Sequence, residues 1–101
     1  MYGKIKNDLK KELEEIRSAG GVAVDVPTDV STKDGCENMV SKAIESFGRL
    51  DILVNNAAIF TAVERKNFDD IPVDEWDAVM GVNVRGVWLG CCAAVPEMRK
   101  K

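Results

Sequence analysis

The segment Leu50–Ala58 constrains the fold of this chain more than any other. Within it, Ile52-Leu53-Val54 is a short apolar run that ends abruptly at Asn55-Asn56. Short runs rich in Ile and Val are typical of buried parallel strands that helices cover on both faces. Ligands of open parallel sheets bind beyond the carboxyl ends of the strands, so the two amides lie where a binding site is expected. They can form hydrogen bonds without bringing charge into a low-dielectric crevice.

Periodic patterns before this segment predict a helix and a further strand. Apolar residues recur at helical spacing from Ile5 to Ile16 and indicate an amphipathic helix, which Gly20-Gly21 would end. The alternation of apolar and small or polar residues in Val22–Val26 is typical of a short strand. The sequence between the two predicted strands is long enough to contain a helical crossover.

Two further helices follow from capping and spacing. Ser31 and Asp34 form a capping-box pattern for a helix that runs to about Phe47. Helical spacing resumes at Pro72 and continues to Met98, with a break or kink expected near Gly81–Asn83 because Gly and Asn are weak helix formers. The polar connection over residues 59–71 is either a solvated link or the place of substrate contacts.

Size and composition limit the classes of function. A chain of 101 residues makes one domain at most, and its formal net charge of -3 argues against binding of nucleic acid. No apolar run of the sequence approaches membrane-spanning length, so no membrane partner is expected. The absence of histidine makes a metal site improbable. Adjacent Cys91 and Cys92 are expected to be buried fillers, which fits the reducing cytoplasm.

Three motifs resemble those of the short-chain dehydrogenases/reductases, which are nicotinamide-dependent oxidoreductases. Asn55-Asn56-Ala57-Ala58 is similar to their Asn-Asn-Ala-Gly motif, although its last residue departs from the usual Gly. Thr28-Asp29-Val30 and Val82-Asn83-Val84-Arg85-Gly86 lie at the corresponding places before and after it. The resemblance covers about residues 13–98. It implies an α/β fold, namely a partial Rossmann-type, doubly wound parallel sheet with two strands and three to four flanking helices in this chain.

The resemblance also implies a cofactor, NAD or NADP, and the residues that hold it. The acid of the family's upstream motif accepts a hydrogen bond from the adenine amino group, and the backbone of the next residue closes over the ring. The family's catalytic Asn helps to hold a water that relays protons to the active-site Lys. The implied site residues are Asp29, Val30, Asn56, Ala57 and Ala58 for the cofactor and Asn83 for catalysis.

Structural alternatives stand beside two of these roles. Asp29 could be only a turn residue before the second helix. Asn83 could be a polar residue that stabilises a helix kink through its own backbone. A buried amide is costly unless its hydrogen bonds are met, so either role of Asn83 requires partners.

Two family features have no counterpart in this sequence. These are the glycine-rich turn that binds pyrophosphate and the Tyr-x-x-x-Lys that supplies the reaction proton; the only tyrosine is Tyr2. The chain is therefore expected to be an internal fragment, an incomplete dinucleotide-binding domain over residues 1–101, and inactive alone. In the family's sheet, two other strands separate the two predicted here. We expect Val22–Val26 and Ile52–Val54 to pair directly in the isolated chain, with marginal stability.

The complete enzyme is expected to transfer hydride between the cofactor and a small alcohol or carbonyl substrate. It is also expected to be a homo-oligomer, since the family's matching helix commonly packs against its copy. Small residues on the last predicted helix, namely Gly86, Gly90 and Ala93 or Ala94, would allow that close approach, although they can equally face a sheet of the same subunit. A different class of function, a small non-catalytic α/β interaction module, remains the alternative.

Overall fold

The computed structural model describes residues 2–59 and 64–100. Within these ranges the structure is helical, and the elements are separated by irregular segments. The helices are α1 (Tyr2–Ser18), α2 (Lys33–Phe47), α3 (Val73–Met80) and α4 (Gly86–Met98). A short 3-10 turn occupies Phe68–Asp70, and a π-helical segment, Gly81–Arg85, joins α3 to α4 without a break. We call this segment the π turn.

The caps of α2 explain where the helix begins and ends. The Thr32 side chain accepts a hydrogen bond from the Gly35 N–H at 3.1 Å, so Thr32 is the N-cap, not Ser31 as the sequence pattern predicts. The Ser31 hydroxyl instead donates to Asp29 Oδ1 at 2.6 Å and is not available to cap the helix. Gly48 ends α2 in the left-handed conformation, φ 80°, and its N–H donates to the Ile44 carbonyl.

The two predicted strands are not formed. Neither Val22–Val26 nor Ile52–Val54 takes part in a β-ladder, and the described residues contain no strand at all. The prediction that these segments pair with each other is therefore not met. Their side chains are correspondingly uncovered, with Val22 80% and Ile52 78% exposed.

Only one of the two segments itself lies against α4. A methyl group placed on Gly90 would lie 3.9 Å from Leu53 Cδ2, whereas the residue that one on Gly86 would crowd, at 2.9 Å, is Val30, which lies beyond Val22–Val26. A strand is stabilised by backbone hydrogen bonds to a neighbour, and neither segment has one in the described structure.

The core is small and lies where α2 packs against α4. Cys36 and Val40 from α2 are buried there, as are Leu89 and Ala94 from α4. Phe47, the last residue of α2, is about half exposed. Cys92 is exposed as well, so its prediction as a buried filler is wrong. The residues of α2 that the helix pair buries, Cys36 and Val40, both lie between the start and the midpoint of that helix.

The continuous helix Val73–Met98 has the length and apolar composition of a membrane-spanning segment. The sequence-based statement that no run approaches that length is therefore wrong for this helix. Core helices of globular domains share both properties, and this one packs against α2 and the two irregular segments. Its opposite side remains exposed and carries Trp76, Met80, Val84 and Trp88.

Candidate functional site

A cavity of about 170 Å³ brings together three of the six site residues implied by the sequence. Val30, Asn56 and Ala57 line it, together with Asn55 and the glycines of α4. Asp29 immediately precedes Val30, whereas Ala58 lies beyond the lining and leads into Ile59. The structure thus joins the upstream and central motifs at one place, although Asn56 follows Asp29 by 27 positions in the sequence.

Two glycines of α4 form the floor of this cavity. A methyl group on Gly90 would lie only 3.0 Å from Asn55 Oδ1, and Gly86 faces Val30 in the same way. Gly86, Gly90 and Ala94 are all buried. The small-residue side of the helix therefore faces segments of its own chain. This agrees with the stated alternative of packing within one subunit, and association with a partner subunit stays a prediction.

Asp29 organises the turn at the upstream side of the cavity. Its Oδ1 accepts hydrogen bonds from the Ser31 N–H at 3.0 Å and the Ser31 hydroxyl at 2.6 Å. These two bonds, with a smaller contribution from Arg85, hold the pKa of Asp29 below its ordinary value, so the exposed carboxylate is ionised at neutral pH. Its Oδ2 makes no hydrogen bond within the described part of the chain. Asp29 is thus a turn residue with one oxygen still available to a ligand.

Residues at the start of α2 donate hydrogen bonds to the backbone carbonyls of Asp29 and Val30. Thr32 donates to the Asp29 carbonyl through its N–H and its hydroxyl, and the Cys36 thiol donates to the Val30 carbonyl at 3.3 Å. Burial raises the pKa of Cys36, which keeps the thiol protonated and able to donate. A side chain on Gly35 would overlap the Asp29 carbonyl. The sequence signal for these residues was only the capping pattern, which pointed one residue too early.

Asn83 lies in the π turn and binds the backbone beyond the central motif. Its Oδ1 accepts from the Ile59 N–H at 2.7 Å, and its Nδ2 donates to the Ile59 carbonyl at 3.0 Å. The amide thus pairs with Ile59 as a neighbouring strand would. This π turn occupies the place of the expected break or kink near Gly81–Asn83, and π-helical segments occur frequently at functional sites. Asn83 stabilises a distant segment rather than its own backbone.

A second cavity lies between the connection after the central motif and α3. Its volume is about 380 Å³, and its apolar lining comes mainly from Ile71, Trp76 and Val79. Lys66 and Glu75 form an ion pair at its edge. Residues of the predicted connection over 59–71 thus line this cavity, while residues 60–63 of that connection lie outside the described residues.

Comparison with known proteins identifies the family. The family model described as enoyl-(acyl carrier protein) reductase matches residues 1–101. Glucose 1-dehydrogenase 2 of Bacillus subtilis is 41% identical over 88 residues, which cover 87% of this chain and 33% of that protein. The chain spans less than two fifths of the length of these curated relatives, from 18% to 38%.

Solved structures agree with the sequence comparison. A short-chain dehydrogenase from Burkholderia cenocepacia in complex with NADP matches with a TM-score of 0.80 and 35% identity, over 88% of this chain and 35% of that one. An NADH-dependent reductase of alginate metabolism matches with a TM-score of 0.78 and 32% identity, over 87% of this chain and 35% of that one. The motifs, the shared backbone and the family match lead to one conclusion: this chain belongs to the short-chain dehydrogenase/reductase family.

Proposed function

We propose that this chain is the part of an NAD(P)-dependent oxidoreductase that receives the adenine side of the cofactor and carries a catalytic Asn. The observation behind the proposal is the shared cavity of Val30, Asn56 and Ala57, beside the available oxygen of Asp29. The relatives support the same class, since one was solved with NADP and another is an NADH-dependent reductase. The complete enzyme would act on an alcohol or carbonyl substrate.

The residues at the cavity fit a nucleotide in type and placement. Asp29 Oδ2 can accept an N–H of the adenine amino group, because Oδ1 is already engaged by Ser31. Gly86 and Gly90 let Val30 and Asn55 approach α4 closely, since a methyl group on either glycine would crowd these residues. When bound, the nicotinamide cofactor supplies or accepts the hydride. Asn56, Ala57 and Ala58 would then line its path toward the Asn83 end of the site.

The role proposed for Asn83 follows from its two bonds to Ile59. Both polar atoms of the side chain are engaged, so the amide itself is not free to act on a substrate. It can fix the segment after Ala58 against the π turn. We propose that Asn83 contributes to catalysis by holding this backbone in place.

Replacing Asp29 with asparagine tests the nucleotide role. Asparagine can keep the Oδ1 acceptor of the turn, but it puts an NH2 group where Oδ2 stands and cannot accept the adenine amino group there. We expect adenosine monophosphate to bind about tenfold more weakly, on the order of one hydrogen bond. Titration of the ¹⁵N-labelled chain with the nucleotide, followed at the Val30 and Asn56 amides, measures this change.

Asp25→Asn is the matched control, because Asp25 is also exposed and lies in the same irregular connection. Its affinity for the nucleotide should equal that of the wild-type chain. Equal affinities of all three proteins would refute the role of Asp29, and absence of saturable binding by the wild-type chain would refute the adenine site.

The exposed side of the long helix supports a homo-oligomer. Trp76, Met80, Val84 and Trp88 recur every four residues and form one apolar stripe, which we call the outer stripe. We propose that a second copy covers it, as the family's matching helix commonly packs against its copy. This moves the association surface from Gly90 to the opposite side of the helix.

Trp88 is the best position for testing that surface, since its side chain is 63% exposed and large. Trp88→Glu should shift the protein toward the monomer in sedimentation velocity, because it places a charge in an apolar contact. Ala78→Glu, at an exposed position of the same helix outside the outer stripe, should leave the distribution unchanged. Equal sedimentation of Trp88→Glu and wild type would argue against this surface.

A further inference from the structure

The π turn makes a second long-range contact besides that of Asn83. Arg85 Nε donates a hydrogen bond to the Ser31 carbonyl at 3.2 Å, across 54 residues of sequence. Residues two positions apart on a helix point to different sides. Asn83 and Arg85 therefore reach different segments, Ile59 on one side and the Asp29 turn on the other.

The buried glycine that opens the π turn leaves room for this contact. A methyl group on Gly81 would lie 2.7 Å from Arg85 Nη2 and 3.6 Å from Ser31 Cβ. The guanidinium of Arg85 thus lies over Gly81 and beside Ser31. Its charge also faces Asp29, where it contributes to the lowered pKa of that carboxyl.

The carbonyls of the Asp29 turn show what Arg85 adds. The carbonyls of Asp29 and Val30 are bound by Thr32 and Cys36, which belong to the start of α2. The third consecutive carbonyl, that of Ser31, is bound by Arg85. Only this last bond joins the turn to a part of the chain that is distant in sequence.

We propose that Arg85 is a positioning residue for the cofactor site. It fixes the adenine-side turn relative to Asn83, so that one helical turn sets both edges of the site. This inference rests on the proposed function, because it assumes that the Asp29 turn receives the nucleotide. Arg85 need not touch the nucleotide to act in this way.

Two substitutions separate the hydrogen bond from the charge. Methionine at position 85 has a similar length but no donor and no charge. Glutamine carries its Nε2 the same number of bonds from the backbone as arginine carries Nε, so it can keep the donor while losing the charge. Arg17→Met is the control, because Arg17 also donates from its guanidinium to a backbone carbonyl, that of Ala23 at 3.0 Å, away from the site.

Amide hydrogen exchange of the full chain reads the position of the turn without any ligand. In Arg85→Met, exchange of the Thr32 N–H, which donates to Asp29, should be about 3–10-fold faster, the range expected for loss of one hydrogen bond. Adenosine monophosphate should bind more weakly by a similar factor. Arg85→Gln should lie close to the wild type in both measurements, and Arg17→Met should change neither.

Different results would overturn the hydrogen-bond assignment, the positioning role or the proposed function. Unchanged exchange at Thr32 in Arg85→Met, or equal effects of Met and Gln, would overturn the assignment to the hydrogen bond. Faster exchange with unchanged nucleotide affinity would overturn the positioning role. Failure of the wild-type chain to bind the nucleotide would instead overturn the proposed function itself, and the exchange data would still report on the Arg85 contact.

Discussion

Replacing Gly90 with leucine is expected to abolish the cooperative unfolding transition of the chain. Gly90 is buried in α4, and even a methyl group there would lie 3.0 Å from Asn55 Oδ1. A leucine side chain would have to displace both Asn55 and Leu53 from the helix. Overpacking of this kind typically costs about 1–3 kcal/mol. The gain in helix propensity over glycine returns less than about 1 kcal/mol.

Because the core is small, this loss of stability is expected to be enough to abolish the cooperative transition. The buried apolar side chains of the described residues are few, and Leu53 and Asn55 both lie against Gly90. Thermal unfolding followed by circular dichroism measures the effect. Cys92→Leu introduces the same side chain at an exposed position two residues away and should leave the melting curve nearly unchanged. A cooperative transition in Gly90→Leu at the wild-type temperature would show that Gly90 does not seat these segments.

Local sequence signals were enough to predict the helices of this fold. The glycines that follow α1 and α2, Gly20 and Gly48, both have positive φ, and the π turn lies where a break or kink was expected, near Gly81–Asn83. Such features depend on residues within one or two helical turns, so a single sequence contains them. The N-cap was misplaced by one residue because Ser31 and Thr32 are chemically alike, and only the carboxylate of Asp29 decides between them.

The predicted strands, by contrast, would need hydrogen-bonding neighbours that are distant in the sequence. Val22–Val26 and Ile52–Val54 have strand-like patterns, yet a pattern supplies no hydrogen-bonding neighbour. The same limit applies to the site. Motif resemblance pointed to Asp29, Asn56 and Asn83, whereas Arg85 binds the Ser31 carbonyl across 54 residues of sequence. The residue type of Arg85 alone gives no signal of that contact.

The two readings of the α4 glycines illustrate the same point. Glycine at four-residue spacing predicts a close approach, but it does not say what approaches. Here Val30 and Asn55 are the residues that approach, so the glycines face the cavity that these residues line. The opposite side of the helix is exposed and carries larger apolar side chains, so it is better suited to association.

Asn83→Ala is expected to release the segment after the central motif and to destabilise the chain. The substitution removes both hydrogen bonds to Ile59, at 2.7 and 3.0 Å, and leaves a partly buried N–H and carbonyl without their partner. Leaving such groups unpaired costs about 1–3 kcal/mol. Alanine also has the higher helix propensity, which would by itself stabilise the helix by about 0.6 kcal/mol. The loss should therefore exceed the gain.

The control for this prediction is Asn38→Ala, which makes the same change at an exposed position of α2. It gains the same helix propensity without losing a long-range bond, so its melting temperature should stay level or rise. Asn83→Ala should melt at a lower temperature, and the Ile59 N–H should exchange about tenfold faster or more, as expected when its acceptor is removed. If Asn83→Ala instead follows Asn38→Ala, and Ile59 exchange is unchanged, the amide does not hold this backbone. The positioning role of Asn83 would then be excluded, while the membership of the chain in its family would be unaffected.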